Sequence, residues 1–311
     1  MRFSFGVALW HARGRADWVA TARKVEALGY DTLTVPDHLT DRLAPMPALV
    51  SAAEATTRLR VGTNVLNNDL RHPVLVAREA ATVDLLTDGR LQLGLGAGSI
   101  RSEYEQTGLA FDTGATRVER LAEAITIIKD LLDGKRVNFA GRHYRVTGHA
   151  LEFLPVQKPH PPILIGGNGR RLLSLAAREA DIVGFSGVNF RDGGMAPPDL
   201  STWLVSAVDE RVQLVREAAG AERFAELELN ALVQRVVVTG DRRGAAEELT
   251  GRWTQLSRDE ILASPYVLIG TIDEIVEDLV ARRERWGFSN YTIHEPYLDD
   301  FATVVARLTG T

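Results

Sequence analysis

The sequence of 311 residues contains no cysteine. This absence excludes disulfide bonds, thiolate nucleophiles, zinc ribbons and iron–sulfur clusters. No apolar run approaches the roughly 18 residues that a membrane-spanning helix requires. Residues 1–9 are basic and then apolar, but they run directly into a charged segment, so they are interpreted as a first strand and not as a signal peptide. A cytoplasmic protein is therefore expected.

An excess of positive charge is also missing, since 36 basic residues stand against 41 acidic residues and give a net charge of −5 at pH 7. Arginine is frequent, but it is scattered among acidic residues at helical spacing, which is typical of solvated helix faces. We therefore expect a small-molecule substrate and no nucleic-acid or membrane partner. The apolar fraction of 45% is ordinary for a folded globular protein.

One local pattern recurs along the chain: a helical stretch ends at glycine and a short apolar run follows it. Gly29 precedes the run 32–35 in this way, and Gly287 precedes the run 290–293. Continuous apolar strands that alternate with helices are typical of a parallel sheet covered on both faces. The eight candidate strands are residues 3–9, 32–35, 59–65, 91–95, 162–166, 182–185, part of 227–238, and 290–293.

Eight such units predict an α/β fold of the (β/α)₈ barrel type, with a single domain over residues 1–311. An open, doubly wound sheet is the alternative. Four connections are longer than usual. They predict insertions after strands 4, 6 and 7 and after helix 4, at residues 98–116, 187–201, 240–265 and 134–161 respectively. The insertion after helix 4 has the pattern of a β-hairpin.

A parallel barrel presents its reactive groups at the carboxyl ends of its strands. Strand 2 ends at Asp37 and His38, and an imidazole can accept and donate a proton near neutral pH. We therefore predict that His38 is catalytic. The alternative is a loop histidine beside an aspartate that caps the next element.

Strand 5 ends in a glycine-rich segment that leads into a helix near Arg170. Glycines let the backbone approach a ligand closely, and a helix amino terminus attracts an anion. Phosphate binding is therefore predicted here, with a flexible turn as the alternative. The predicted ligands are Gly166, Gly167, Asn168, Gly169 and Arg170.

The end of strand 4 carries weaker signals. Gly96, Ala97 and Gly98 are candidate cofactor contacts, although the run does not form a dinucleotide-binding fingerprint. Tyr104 follows in the next loop. An aromatic ring there has two interpretations, one in which it covers a flat cofactor ring and one in which it packs the loop.

A metal-dependent barrel hydrolase is an alternative function. It would draw ligands from the histidines and acids at the strand ends, but the first strand supplies only one histidine, so no metal site is predicted. There is also no Gly-x-Ser-x-Gly motif of a serine hydrolase. The candidate metal ligands in this alternative are His11, Asp37, His38, His294 and Glu295.

Seven motifs in a fixed order extend over nearly the whole chain. They are TVPDHL (34–39), HPVLVARE (72–79), LLTDGRL (85–91), RVERLAEA (117–124), GRHY (141–144), PILIGG (162–167) and IGT (269–271). Through them the chain resembles the luciferase-like flavin and deazaflavin oxidoreductases, above all the branch that depends on coenzyme F420.

The resemblance implies a (β/α)₈ barrel, a homodimer and a flat tricyclic cofactor across the carboxyl-terminal mouth. It places the cofactor phosphate at Gly166 to Arg170. It also implies a non-proline cis peptide at the end of strand 3, within Thr63-Asn64-Val65, which would support the ring. The implied cofactor is coenzyme F420, with FMN as the alternative.

The implied function is hydride transfer between F420 and a small organic substrate. His38 would exchange a proton with the substrate, and Asp37 would orient His38 or contact the cofactor. The alternative is an FMN-dependent monooxygenase that uses O₂ with reduced flavin. One position departs from the family: relatives that oxidise sugar phosphates carry a glutamate where this chain has Ser99, which puts that substrate class in doubt.

Overall fold

The computed structural model describes residues 2–39, 42–188, 191–194 and 197–311. Within them, eight parallel strands pair in chain order into a closed barrel, because the first strand pairs with the last as well as with the second. The barrel strands are β1 (Ser4–Ala8), β2 (Thr32–Val35), β3 (Arg60–Thr63), β4 (Leu91–Gly96), β5 (Ile163–Gly166), β6 (Ile182–Phe185), β7 (Glu228–Leu232) and β8 (Phe288–His294).

Helices cover the outside of this barrel. They are α1 (Arg15–Ala27), α2 (Pro45–Glu54), α3 (Pro73–Leu86), α4 (Arg101–Thr107), α5 (Gly114–Leu132), α6 (Arg170–Glu179), α7 (Val205–Ala219), α8 (Ala221–Glu226), α9 (Arg242–Thr250), α10 (Arg258–Ala263), α11 (Ile272–Trp286) and α12 (Leu298–Leu308). The predicted (β/α)₈ barrel is confirmed, and the open-sheet alternative is wrong because β3 pairs with β4 and closes the ring.

Local sequence explains where the helices begin and end. Helix α11 begins with a capping box, in which Thr271 and Glu274 each bond to the other's backbone N–H, and it ends at Gly287 in the left-handed conformation. Helix α5 turns the predicted apolar stripe towards the barrel. The stripe residues are all buried: Leu121, Ala124, Ile125, Ile128 and Leu132.

The predicted insertions lie where the long connections indicated. Helix α4 follows β4, and an antiparallel hairpin of Val137–Ala140 and Arg145–His149 follows α5. The insertion after β6 includes residues 189, 190, 195 and 196, which lie outside the described residues. The insertion after β7 holds α9 and α10.

The apolar run 227–238 forms two strands and not one. Its first half is β7, while Arg235–Val238 leaves the barrel and pairs in parallel with Val267–Gly270. The sequence prediction missed this outer pair because the polar residues Gln234 and Arg235 within the run are also compatible with one continuous strand. The carboxyl end of β7 is thereby fixed near Leu232, at the mouth of the barrel.

No helix in the described ranges is both long enough and apolar enough to cross a membrane.

Candidate functional site

A cavity of about 990 Å³ opens at the carboxyl ends of the barrel strands. Residues at or just beyond the end of each of the eight strands line it, from Ala8 at the end of β1 to His294 at the end of β8. This is the end of a parallel barrel at which enzymes of this fold place their chemistry. The cavity is therefore the candidate active site.

Most of the predicted site residues meet in this cavity. Twelve of them line it: Asp37, His38, Asn64, Val65, Gly96, Ala97, Gly98, Gly166, Gly167, Asn168, Gly169 and Arg170.

Two predicted cofactor contacts do not line it. Thr63 is fully buried behind the wall, where its hydroxyl donates to Gly94 O (2.7 Å) and accepts from Gly94 N (2.8 Å). Tyr104 is also fully buried; its hydroxyl donates to Asp69 Oδ2 at 3.0 Å, and its ring packs edge-on against Phe111. Tyr104 therefore packs the loop, which was the second of its two interpretations.

His38 is held by a carboxylate that the sequence reasoning missed. Its Nδ1 lies 2.8 Å from Glu103 Oε1, and the same oxygen accepts the backbone N–H of Leu39 at 3.1 Å. The Glu103 side chain is only 4% exposed, whereas the His38 side chain is 33% exposed. Because Nδ1 is occupied, Nε2 is the ring nitrogen available to a molecule in the cavity.

Asp37 does not orient His38, contrary to one of its two predicted roles. Its carboxylate pairs with the guanidinium of Arg71, with Nη2 3.1 Å from Oδ1 and Nη1 bonded to Oδ2. It also accepts the backbone N–H of Asn67 at 3.0 Å. These bonds tie the end of β2 to the segment after β3, so Asp37 shapes the wall of the cavity.

The end of β3 forms part of the cavity wall. The peptide bond between Asn64 and Val65 is cis, as the family resemblance implied. The Val65 side chain lies against the ends of β4 and β5: a Cβ built on Gly96 would lie 2.5 Å from Val65 Cγ2, and one on Gly166 would lie 3.1 Å from Val65 Cγ1. Glycine at these two positions makes room for Val65.

The glycine-rich segment after β5 has the features of an anion site. Helix α6 begins at Arg170, as predicted, and no side chain caps it, so the first N–H groups of the helix have no partner from a capping residue. The first turn holds Arg170 and Arg171 and no acid, an arrangement that the helix dipole disfavours unless an anion is present. The N–H of Gly167 is not available, because it donates to Gly184 O at 2.9 Å.

Positive charge dominates the cavity wall although the chain as a whole is acidic. Within the described ranges three acidic residues line it, and all three are engaged: Asp37 with Arg71, Glu103 with His38, and Asp112 with Arg120. A cleft lined by one sign of charge attracts ligands of the opposite sign. The lining arginines are Arg42, Arg101, Arg117, Arg170 and Arg171.

A second imidazole lines the cavity at the end of β8. The His294 ring packs edge-on against Trp10 at 5.0 Å, and its Nδ1 is buried without a hydrogen-bond partner in the described part of the chain. Burial, with a smaller effect of the Arg42 guanidinium, lowers the pKa of His294 to about 4. From the sequence, His294 is a candidate only as a metal ligand. No cluster of three or more potential metal ligands exists among the described residues.

A comparison with protein families matches residues 4–257 to the luciferase-like monooxygenases. A curated relative, the F420-dependent glucose-6-phosphate dehydrogenase of Microbacterium testaceum, is 30% identical over 302 residues, which cover 87% of this chain and 84% of the relative.

Solved structures share the fold at lower identity. The coenzyme F420-dependent tetrahydromethanopterin reductase of Methanopyrus kandleri superposes with a TM-score of 0.76 at 17% identity over 99% of both chains. A long-chain alkane monooxygenase superposes with a TM-score of 0.75 at 15% identity, over 99% of this chain and 91% of the other.

Proposed function

This chain belongs to the luciferase-like monooxygenase family, and within that family we propose that it is an oxidoreductase that transfers a hydride between coenzyme F420 and a small organic substrate. The curated relative named as an F420-dependent dehydrogenase supports the cofactor. The observation that carries the proposal is one cavity lined both by an uncapped helix terminus and by the imidazole of His38.

The residues present fit the cofactor. F420 carries a flat ring, a phosphate and a tail of carboxylates. Its site must therefore offer a surface against which the ring can lie, an anion site for the phosphate and further cationic side chains for the tail. Asn64, Val65 and the glycines at the end of β4 would lie against the ring. The start of α6 would hold the phosphate, since its N–H groups and Arg170 converge there. The remaining cavity arginines would attract the tail.

When bound, the deazaflavin supplies two-electron hydride chemistry. The protein supplies the proton transfer. Glu103 accepts a hydrogen bond from Nδ1–H of His38, which fixes the ring and leaves the Nε2 lone pair directed at the substrate. His38 then takes a proton from the substrate in one direction of the reaction and returns it in the other. The insertions that follow β4 and β6 flank the cavity and restrict the entry of water.

A titration distinguishes this proposal from the FMN-dependent monooxygenase. Apoprotein is titrated with oxidised F420, reduced F420 and FMN, and binding is followed by cofactor fluorescence. We expect F420 to bind at least about tenfold more tightly than FMN, because its carboxylate tail meets the cationic wall. Tighter binding of FMN would contradict the proposal and favour the monooxygenase. The homodimer and the cytoplasmic location stay predictions.

A further inference from the structure

Positive charge lines the cavity on two opposite sides of its mouth. In the closed barrel, β1 and β5 are four strands apart in either direction, so their carboxyl ends lie across the mouth from each other. Helix α6 begins after β5 and contributes Arg170 and Arg171. Arg42 lines the cavity on the other side, in the segment between β2 and α2. An anion at the start of α6 and an anion at Arg42 would therefore occupy two different sites.

Arg42 is held in place by the segment that follows β1. Its guanidinium carbon lies 4.4 Å from the centre of the Trp10 ring. The indole is itself fixed, because its Nε1–H donates to Ala8 O at 2.8 Å. The N–H of Leu43 also donates to Trp10 O at 3.2 Å, which joins the segment of Arg42 to the end of β1. A guanidinium that lies over an aromatic ring keeps its N–H donors at its edge, where an anion can accept them.

The described cavity residues on this side offer no unpaired carboxylate to an anion. Asp37, which follows β2, is bonded to Arg71. His294, at the end of β8, packs edge-on against Trp10, and it is neutral at neutral pH because burial and, to a smaller extent, Arg42 lower its pKa. Among the described residues that line this side, the positive charge is therefore that of Arg42, and it attracts an anionic group.

Two other cavity arginines lie on the cofactor side. Arg101 and Arg117 have their guanidinium carbons 4.5 and 4.1 Å from the centre of the Phe111 ring, and Arg117 Nε donates to Ala97 O at 3.2 Å. Ala97 follows β4, which pairs with β5. These two arginines are therefore close to the proposed phosphate site and to the tail that continues from the phosphate, whereas Arg42 is across the mouth from both.

From this arrangement, and resting on the proposed function, we infer that Arg42 binds an anionic group of the substrate, a carboxylate or a phosphate, and that the substrate is a small organic anion. His38 follows the same strand as Arg42, so an anion at Arg42 holds the substrate on the side of the cavity where His38 exchanges its proton. Arg42 thereby determines specificity, because it selects a charged substrate over an uncharged compound of the same shape.

The test uses enzyme saturated with F420, so that the site at the start of α6 is filled and a further anion must bind elsewhere. Benzoate, phenyl phosphate and benzamide are titrated into it by isothermal calorimetry. Benzamide has the shape of benzoate without its charge. We expect at least one of the two anions to bind about tenfold or more tightly than benzamide. The anion that binds more tightly distinguishes a carboxylate site from a phosphate site.

Substitutions at Arg42 separate recognition of charge from a structural role. Arg42→Gln should lower the affinity for the better anion by roughly 10–100-fold and leave the affinity for benzamide unchanged. Arg42→Lys keeps the charge without the planar fork, so it should bind the anion more tightly than Arg42→Gln does. Arg216→Gln is the matched control, because Arg216 lies 4.8 Å from the ring centre of Phe224 but does not line the cavity. It should change none of the three affinities.

Several results would overturn the assignment. They are equal binding of benzamide and both anions, no binding of either anion, wild-type anion affinity in Arg42→Gln, and an equal loss of anion and benzamide affinity in that variant. Loss of anion binding in Arg101→Gln and not in Arg42→Gln would move the site to the cofactor side and overturn it as well. If F420 itself does not bind, the proposed function fails too, and the fluorescence titration identifies that case separately.

Discussion

The Nδ1 atom of His38 lies 2.8 Å from the Oε1 atom of Glu103, although the two residues are 65 positions apart in the chain. The contact joins the end of β2 to helix α4, which lies in the insertion after β4. The orientation of the imidazole therefore depends on an insertion and not on the barrel itself.

Glu103→Gln should lower turnover by at least about tenfold with little change in F420 affinity. The amide oxygen can still accept the N–H of Leu39, but the charge that supports the imidazole during proton transfer is lost. His38→Ala sets the scale for this effect, with an expected loss of roughly 10²–10⁴-fold. Steady-state kinetics beside the cofactor titration measure both variants.

Glu105→Gln is the matched control for this substitution, because Glu105 lies on the same helix and is exposed. It should behave like the wild type. If Glu103→Gln turns over substrate as fast as the wild type, the Glu103 carboxylate takes no part in the proton transfer and its role is purely structural.

Asp37→Asn should lower the free energy of unfolding by about 2 kcal/mol, because the substitution leaves the partly buried Arg71 without its counter-charge. Asp273→Asn, which breaks the exposed pair with Arg307, is the control and should change little. Urea denaturation measures both. Unchanged stability together with a large loss of F420 affinity would instead assign Asp37 to the cofactor.

The barrel was predictable from local chemistry. Apolar runs of four to seven residues marked the strands, some of them after a helix-ending glycine such as Gly29 or Gly287, and the run 182–185 became β6 with its predicted ends. The pairing of Arg235–Val238 with Val267–Gly270 was not predictable, because it depends on which half of one apolar run reaches the barrel mouth. Polar residues such as Gln234 interrupt the run, but periodicity does not decide whether they lie within one strand or separate two.

The site could be predicted from the sequence only where a single continuous segment supplies its residues. The glycine-rich segment and the start of α6 are contiguous, so their sequence alone indicated an anion site. Glu103 was missed because its partner lies in a distant motif and nothing in its own neighbourhood distinguishes it from Glu105. The sequence around Glu103 therefore offers no signal that would have identified it.

Gly169→Val should weaken F420 binding by at least about tenfold without destabilising the fold. Gly169 has φ −71° and ψ 139°, a conformation that suits valine, and a Cβ there would meet no atom within 4 Å. The new side chain would instead occupy space at the start of α6, where the phosphate is proposed to bind. Fluorescence titration and thermal unfolding measure the two effects.

Gly240→Val is the control for that change, since a Cβ on Gly240 also meets no atom within 4 Å and Gly240 lies away from the cavity. It should leave F420 affinity unchanged. Equal F420 affinity for Gly169→Val and wild type would mean that the phosphate binds elsewhere in the cavity.

Glu228 lies at the start of β7, at the end of the barrel opposite the cavity. Its Oε1 accepts a hydrogen bond from Asn290 Nδ2 at 3.0 Å. Burial raises the pKa of its carboxyl group; the hydrogen bond from Asn290 lowers it, the negative charge of Asp31 adds to the rise, and Arg60 opposes it. Ionised Glu228 is therefore a destabilising element of the folded state.

The direction of this pKa shift determines how Glu228 affects the stability of the fold at each pH. The pKa of Glu228 is higher in the folded protein than in the unfolded chain. The stability that its protonated form contributes is therefore fully present below the unfolded pKa, about 4.3 for glutamate, and is lost as pH rises through the folded pKa. Glu228→Gln keeps an acceptor for Asn290 and cannot ionise, so it should raise the unfolding temperature at pH 8 and have less effect at pH 4.

Glu226→Gln, at a side chain that is 70% exposed, is the control and should change neither value. Thermal unfolding of the three proteins at both pH values measures this, and a Glu228→Gln variant less stable than wild type at pH 8 would show that the pairing with Arg60 outweighs the cost of burying the charge.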